Sequence, residues 1–241
     1  TGYLYDRMIA PLTIMEIKGV IWYQGESNSR YAAEYPELMT QLIGGWRKAW
    51  KQGRLPFLMM QLVSFDSPPF FWYHPGAFTE LRAAQQTVAD TVPDTGLAIG
   101  IDIGVPGNIH PPDKQDVGKR LALIALKQVY GRKVVASGPK LTVARFQGSK
   151  VVLAFNPEGK GQQLVLKVKT PNGFELAGVD GKFAPATAEV QQDEIILAAA
   201  GVTTPLAVRY AWADNPDVSL FNTAGLPAAP FEMSTAQNSR K

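Results

Sequence analysis

The chain has 241 residues, 46% of them apolar, with 24 Lys plus Arg against 21 Asp plus Glu for a formal charge of +3. That length holds one large domain or two smaller ones around a sizeable core, and it excludes a disordered polymer. The cations are scattered with no basic run to track a phosphate backbone, so nucleic acid is not an expected partner. No apolar stretch reaches the roughly 20 residues that cross a bilayer, so no membrane span is expected. Absence of Cys removes disulfides, thiol catalysis and thiolate metal sites and leaves the compartment open. The opening Thr1-Gly-Tyr-Leu-Tyr5 carries neither Met nor a basic-then-apolar leader, and reads as an interior start.

From Met15 to Gly131 short apolar runs alternate with longer amphipathic ones, which predicts strands and helices taking turns about a parallel sheet. Ile17–Tyr23 is a β-rich run, and Arg30–Trp50 then repeats Tyr31, Tyr35, Leu38, Leu42 and Trp46 at helical spacing. Leu55–Val63 reads as a buried strand and Thr79–Ala89 as a helix. Gly96–Ile101 is a third strand, and Asp113–Val129 returns Val117, Leu121, Ile124 and Gln128 to one helical face. These make three βα units. From Ser137 the helical period is lost, and Leu141–Phe146, Lys150–Phe155, Leu164–Val168, Glu194–Ala198 and Ala207–Trp212 are β-prone runs separated by Gly, Pro and Asn. An all-β, sandwich-like module is expected there, with Leu226–Phe231 as an extended strand or tail packed on its surface. The division falls near residues 131–139, giving an α/β part over 1–135 and a β-rich accessory part over 136–241.

Ligands of open parallel sheets gather beyond the carboxyl ends of the strands. Two such ends are chemically rich. One is Trp22-Tyr-Gln-Gly-Glu-Ser-Asn28, where a strand runs into polar side chains. The other is Asp102-Ile-Gly-Val-Pro-Gly-Asn-Ile-His110-Pro111, a Gly/Pro-rich loop presenting one of only two histidines. A neutral imidazole takes a proton from a hydroxyl nucleophile and returns it to a leaving alcohol, so His110 suits base catalysis; a plain surface histidine is the competing reading. His74, in Phe70-Phe-Trp-Tyr-His74, is the rival histidine, and its aromatic neighbours fit either packing or sugar stacking. Two distant histidines with no ordered carboxylate pattern give no metal-ligand spacing, and no phosphate-cradling glycine loop occurs, so no cofactor is expected.

The segments Gly19-Val-Ile-Trp-Tyr-Gln-Gly-Glu-Ser-Asn28, Leu81-Arg-x-x-Gln85, Ile109-His-Pro-x-x-Lys114, Val208-Arg-Tyr-Ala-Trp212 and Gly225-Leu-Pro-Ala-x-Pro-Phe231, in this order, resemble the sialate O-acetylesterases. The resemblance runs through nearly the whole chain. It implies an SGNH-hydrolase α/β/α fold of flavodoxin type, and a serine esterase removing acetyl groups from O-acetylated sugars such as sialic acid, xylan or xyloglucan. It also implies export to the periplasm or outside the cell. In that family the nucleophilic serine belongs to an earlier Gly-Gln-Ser-Asn-Met segment; none occurs in this sequence, so a preceding segment of the same protein is expected to supply it.

The resemblance further places Gln24 and the Gly25 amide beside the oxyanion, with Asn28 assisting or binding sugar; the aromatic rings of Trp72 and Tyr73 make them candidate stacking platforms. Many SGNH enzymes orient the histidine with an Asp three residues before it; here that position is Gly107. Glu26, Asp102 and Asp113 remain as orienting acids, Glu26 first and Asp102 second. Asp102 could equally be a turn or cap residue, and Glu26 a structural partner of Arg82. Arg82 and Gln85, at i and i+3, are expected to brace the active-site loops. Two rival readings stand. Gly25-Glu-Ser-Asn28 mimics Gly-Asp-Ser-Leu, which would make Ser27 the nucleophile. The chain could also be a non-catalytic carbohydrate-binding or scaffold protein.

Overall fold

The computed structural model describes residues 2–66, 74–167 and 172–238. The segment after the N-terminal turns, which cover Tyr5–Ile9 and Ala10–Ile14, is an open parallel sheet of β1 (Val20–Trp22), β2 (Phe57–Met60) and β3 (Thr95–Ala98), in that spatial order. The connections are α1 (Tyr35–Trp50), α2 (Ala77–Thr91) and, after β3, α3 (Lys114–Gln128). Alternation along β2 explains the layering. Phe57 and Met59 join the core built by α1 and α2, while Leu58 and Met60 join the one built by α3. Helices thus cover both faces, as parallel strands require.

The expected first helix begins later than its apolar period suggests. Pro36 sits in the first turn of α1, where its missing N–H is harmless, and Glu26–Glu34 form 3-10 turns with Tyr31 out of helical conformation. The buried face therefore runs through Tyr35, Met39, Ile43 and Trp50, and the expected face members Tyr31 and Leu38 are exposed. The other two helices match their expected spans to within two residues.

The β-rich part begins at β4 (Lys140–Gln147) and continues with β5 (Lys150–Asn156), β6 (Leu164–Leu166), β7 (Phe174–Ala177), β8 (Phe183–Gln191), β9 (Glu194–Ala199), β10 (Ala207–Tyr210), β11 (Leu220–Asn222) and β12 (Phe231–Ser234). Seven of these make an antiparallel sheet in the order β12-β10-β7-β8-β9-β5-β4, and β11 pairs with β6 separately. Leu164 and Leu220 of the small sheet share one core with Leu153, Leu176, Leu197 and Val208 of the large one. The Pro-rich end is not a surface tail: Leu226 and Ala228 are buried, and Phe231–Ser234 closes the sheet edge against β10. Among the described residues no helix is long and apolar enough to cross a membrane.

Tyr210 anchors this core. Its ring stacks 4.5 Å from Phe174, and its hydroxyl oxygen accepts the N–H groups of Ser219 (3.1 Å) and Leu220 (2.8 Å). Burial pushes the phenol up to about 12 against the pull of those two donors. Because the folded-state value lies above the unfolded one, this contribution to stability is present below pH 10 and is lost as pH rises toward 12. Tyr210→Phe leaves two buried donors unpaired, so urea unfolding at pH 8 should show a loss of about 1–3 kcal/mol. The same variant should lose stability less steeply than wild type between pH 10 and 12.

Candidate active site

All three parallel strands end on the same side, and the polar segments found in the sequence follow β1 and β3. β2 lies between them, so the two ends stand roughly 10 Å apart in the sheet. After β1, Gln24 Nε2 donates to Asn28 Oδ1 at 2.5 Å, and the Asn28 N–H donates to Gly25 O at 2.8 Å, closing a tight turn. Gly25 has φ +153°, and a Cβ there would stand 2.8 Å from Leu81 Cδ2 and 3.2 Å from Gln85 Nε2. Only glycine lets the chain pass so close to α2. Gln85, fully buried, ties the first two strand ends together: its Nε2 donates to Gln24 O at 3.2 Å and its Oε1 accepts the Leu62 N–H at 2.9 Å. Glu26 is half-buried at the start of the 3-10 turns. After burial itself, its charge is the second cause that raises the Tyr23 phenol to about 12, and it also acts on buried Tyr35.

The histidine loop leaves β3 and folds back over the end of β2. A Cβ on Gly104 would fall 2.0 Å from Ser64 O, so this glycine permits direct backbone packing on the β2 end. Ile109 reaches the core between α1, α2 and β2, and Lys114 places its ammonium 5.1 Å from the Tyr23 ring centroid. These contacts tie the chain on either side of His110 to the core under it and to Tyr23, the residue before Gln24. His110 is exposed, and its backbone N–H donates to Asn108 Oδ1 at 2.9 Å.

The three acids differ in their commitments. Asp102 grips Arg120 in a fork, with Oδ2 to Nη2 at 2.8 Å; Arg120 is buried and also donates to Ile99 O at 2.7 Å. That pair fastens the root of the histidine loop to α3. Asp113 is the N-cap of α3, accepting the Asp116 N–H at 3.0 Å. Among the described residues Glu26 has no ion pair, and Arg82 bonds elsewhere. Ser27 is exposed in the 3-10 turn, and Ser29 Oγ donates to Glu26 O at 2.7 Å. His74 is exposed and stands 3.3 Å from Glu80. Trp72 and Tyr73 lie outside the described residues.

Two further residues have no flag in the sequence. Arg120 looks like one more helix cation. Asp214 sits in a loop of the β-rich part, yet its carboxylate caps α2: Oδ2 accepts from Gly76 N–H (2.8 Å), and Oδ1 accepts from the N–H groups of Phe78 (3.0 Å) and Thr79 (3.1 Å). Arg82, wholly buried one turn into α2, donates to Val63 O and Asp214 O, both at 3.2 Å, and to Ala213 O. Bracing by Arg82 and Gln85 is therefore what the contacts describe. The sequence gives no cue to Asp214, because its partners are more than 130 positions away.

The parallel sheet flanked by helices, with a glycine turn, carboxylates and a histidine loop beyond its strand ends, defines an open α/β protein with a polar strand-end site. Residues 1–126 match the family described as carbohydrate esterase, sialic acid-specific acetylesterase, and the chain belongs to that family. Sialate O-acetylesterases of Mus musculus and Homo sapiens are each 30% identical to it over 95% of its length. The chain covers 46% and 48% of those proteins, so it spans about half the length of the curated relatives it matches. A crystal structure of a carbohydrate acetylesterase from Xanthomonas citri superimposes with a TM-score of 0.86 at 40% identity, over 96% of this chain and 54% of that one.

Gly25→Ala would push a methyl group into buried Leu81. Overpacking of this kind costs about 1–3 kcal/mol, so chemical denaturation should show a loss in that range.

Proposed function

We propose that this chain is the histidine-bearing portion of an O-acetyl esterase acting on acetylated carbohydrates, built on an SGNH-type three-layer domain. What supports the reading is the contact between Lys114, four residues past His110, and Tyr23, the residue before Gln24 and Gly25. Family membership supports ester hydrolysis as the reaction.

In this reading a serine from the part of the longer protein outside this sequence attacks the acetyl carbonyl, and His110 removes its proton. The tetrahedral oxyanion receives hydrogen bonds from the Gly25 amide and the Gln24 carboxamide, which Asn28 orients. His110 returns the proton to the sugar oxygen as the C–O bond breaks. Water, deprotonated by the same imidazole, then releases acetate from the serine. Glu26 is the first choice for the acid that orients His110, since its carboxylate has no ion pair among the described residues; Asp102 is second because Arg120 already holds it. An open strand edge supports a serine-bearing segment pairing there. The outer edge of β1 has no strand beside it among the described residues, and Ile21 on that strand is 69% exposed. Trp72 is proposed as a stacking platform for the sugar, and sialic acid or plant-wall glycans as its source. Export to the periplasm or beyond the cell fits such substrates.

The test is hydrolysis of p-nitrophenyl acetate and of an O-acetylated sugar by the full-length protein. His110→Ala should lower kcat by about 10²–10⁴-fold. An inactive wild type that still binds the sugar would overturn the reading in favour of a carbohydrate-binding protein. Glu26→Gln should cut kcat more than Asp102→Asn while leaving the melting temperature nearer to wild type, because only the Asp102 change breaks a buried ion pair. The reverse order would make Asp102 the orienting acid.

A further inference from the structure

We infer that Asp214, in the β-rich part of the chain, is a positioning residue for the strand-end site, so that this part belongs to the catalytic scaffold and is not merely an appended module. The N-cap of α2 is Gly76, which has no side chain to cap the helix, and the carboxylate of Asp214 supplies the missing acceptor to the N–H groups of Gly76, Phe78 and Thr79. The same residue acts through its main chain. Its carbonyl accepts the Phe65 N–H at 3.1 Å, just past the end of β2, and accepts from Arg82 beside the carbonyl of Ala213. One loop residue therefore fixes the chain leaving β2 and the chain entering α2.

The fixation continues to the proposed oxyanion turn. Arg82 also donates to Val63 O, and one turn further along α2, Gln85 holds Leu62 N–H and Gln24 O. Axial position and rotation of α2 thus set where Gln24 and Gly25 sit, and Asp214 sets α2. The chain of contacts from Asp214 to Gln24 consists of hydrogen bonds to buried side chains, with Arg82 and Gln85 both nearly inaccessible to water. A shift of a few tenths of an ångström at the cap has no soft element to absorb it. Local stiffness of this kind is what an oxyanion donor needs, because its contribution depends on being in place before charge develops.

This inference deepens the esterase reading and rests on it for its kinetic arm; its second arm does not. In the full-length protein, Asp214→Ala should lower kcat by about 10- to 100-fold, the scale on which small misplacements act. KM should change by no more than about twofold, since the acyl-transfer step and not sugar binding is disturbed. Asp214→Asn keeps one acceptor oxygen for the cap and should restore most of the rate. Leu176→Ala, a cavity in the β-rich core at a residue with no part in the cap's hydrogen bonds, serves as the control for mere loss of stability. Independently of activity, hydrogen exchange of the amides over 23–28 and 61–65 should quicken in Asp214→Ala and in Arg82→Lys, and stay as in wild type in Leu176→Ala. Unchanged exchange in both cap variants, or an equal kcat loss in Leu176→Ala below its melting temperature, would overturn the inference. An inactive wild type would sink the esterase reading while leaving the exchange comparison decisive for Asp214, and if Asp214→Ala fails to fold, exchange in Arg82→Lys against Leu176→Ala decides in its place.

Discussion

The constraint on which the α/β part turns is a positive charge with no access to water. Arg82 is 0% exposed, and burial pushes its guanidinium down to about 10, with Asp214 pulling the other way. Removing a cation from water is costly unless its donors meet acceptors in good geometry. Here the acceptors are three main-chain carbonyls, Val63, Ala213 and Asp214, from two distant stretches of chain, with the Thr79 hydroxyl beside them, while Nε has no hydrogen-bond partner among the described residues. The planar fork of an arginine reaches several carbonyls at once, which a lysine ammonium on a flexible stem does not do. Satisfying the charge obliges the end of β2, the first turn of α2 and the 213–214 loop to occupy one arrangement. The histidine loop is then laid on that arrangement through Gly104 and Ser64.

Much of this architecture is legible in the residues alone. The three βα units stand out because parallel strands buried on both faces read as unbroken apolar runs, and β2, buried along its whole length, is the clearest case. Boundaries are less legible. Ile17–Tyr23 predicts seven strand residues where three pair, since β2 begins opposite Val20 and the residues from Ile17 to Gly19 come before it. β7, β8, β11 and β12 escape a pattern search because their alternation is weak: Phe183–Gln191 carries Pro185 and several alanines, and Phe231–Ser234 is an edge strand of four residues.

The site divides along the same line. Segments of contiguous residues, such as Trp22–Asn28 and Asp102–His110, are visible because each packs several reactive types into a few positions. Pairings across the fold are not. Nothing in the sequence joins Asp102 to Arg120, removing one acid from easy availability, or Asp113 to the α3 cap. Glycine positions are intermediate: Gly25 and Gly104 fall inside the segments the sequence singles out, but the reason for them is steric, a neighbouring leucine in one case and a backbone carbonyl in the other. Chemistry that depends on residue type can be read along a line. Chemistry that depends on who is already occupied needs three dimensions.

The cap on α2 also has a meaning in time. Residues 76–82 leave the ribosome more than 130 positions before Ala213 and Asp214, an interval on the order of 7–26 s at typical synthesis rates. During that interval Arg82 has neither carbonyl of the 213–214 loop, and α2 has an uncapped start, so the first half of the chain waits in an unfinished state. A product truncated before residue 213 would never leave that state, and would carry an ionised arginine whose burial has lost two of its three carbonyl acceptors. The contact thereby makes the final setting of α2 depend on a stretch of chain made long after it.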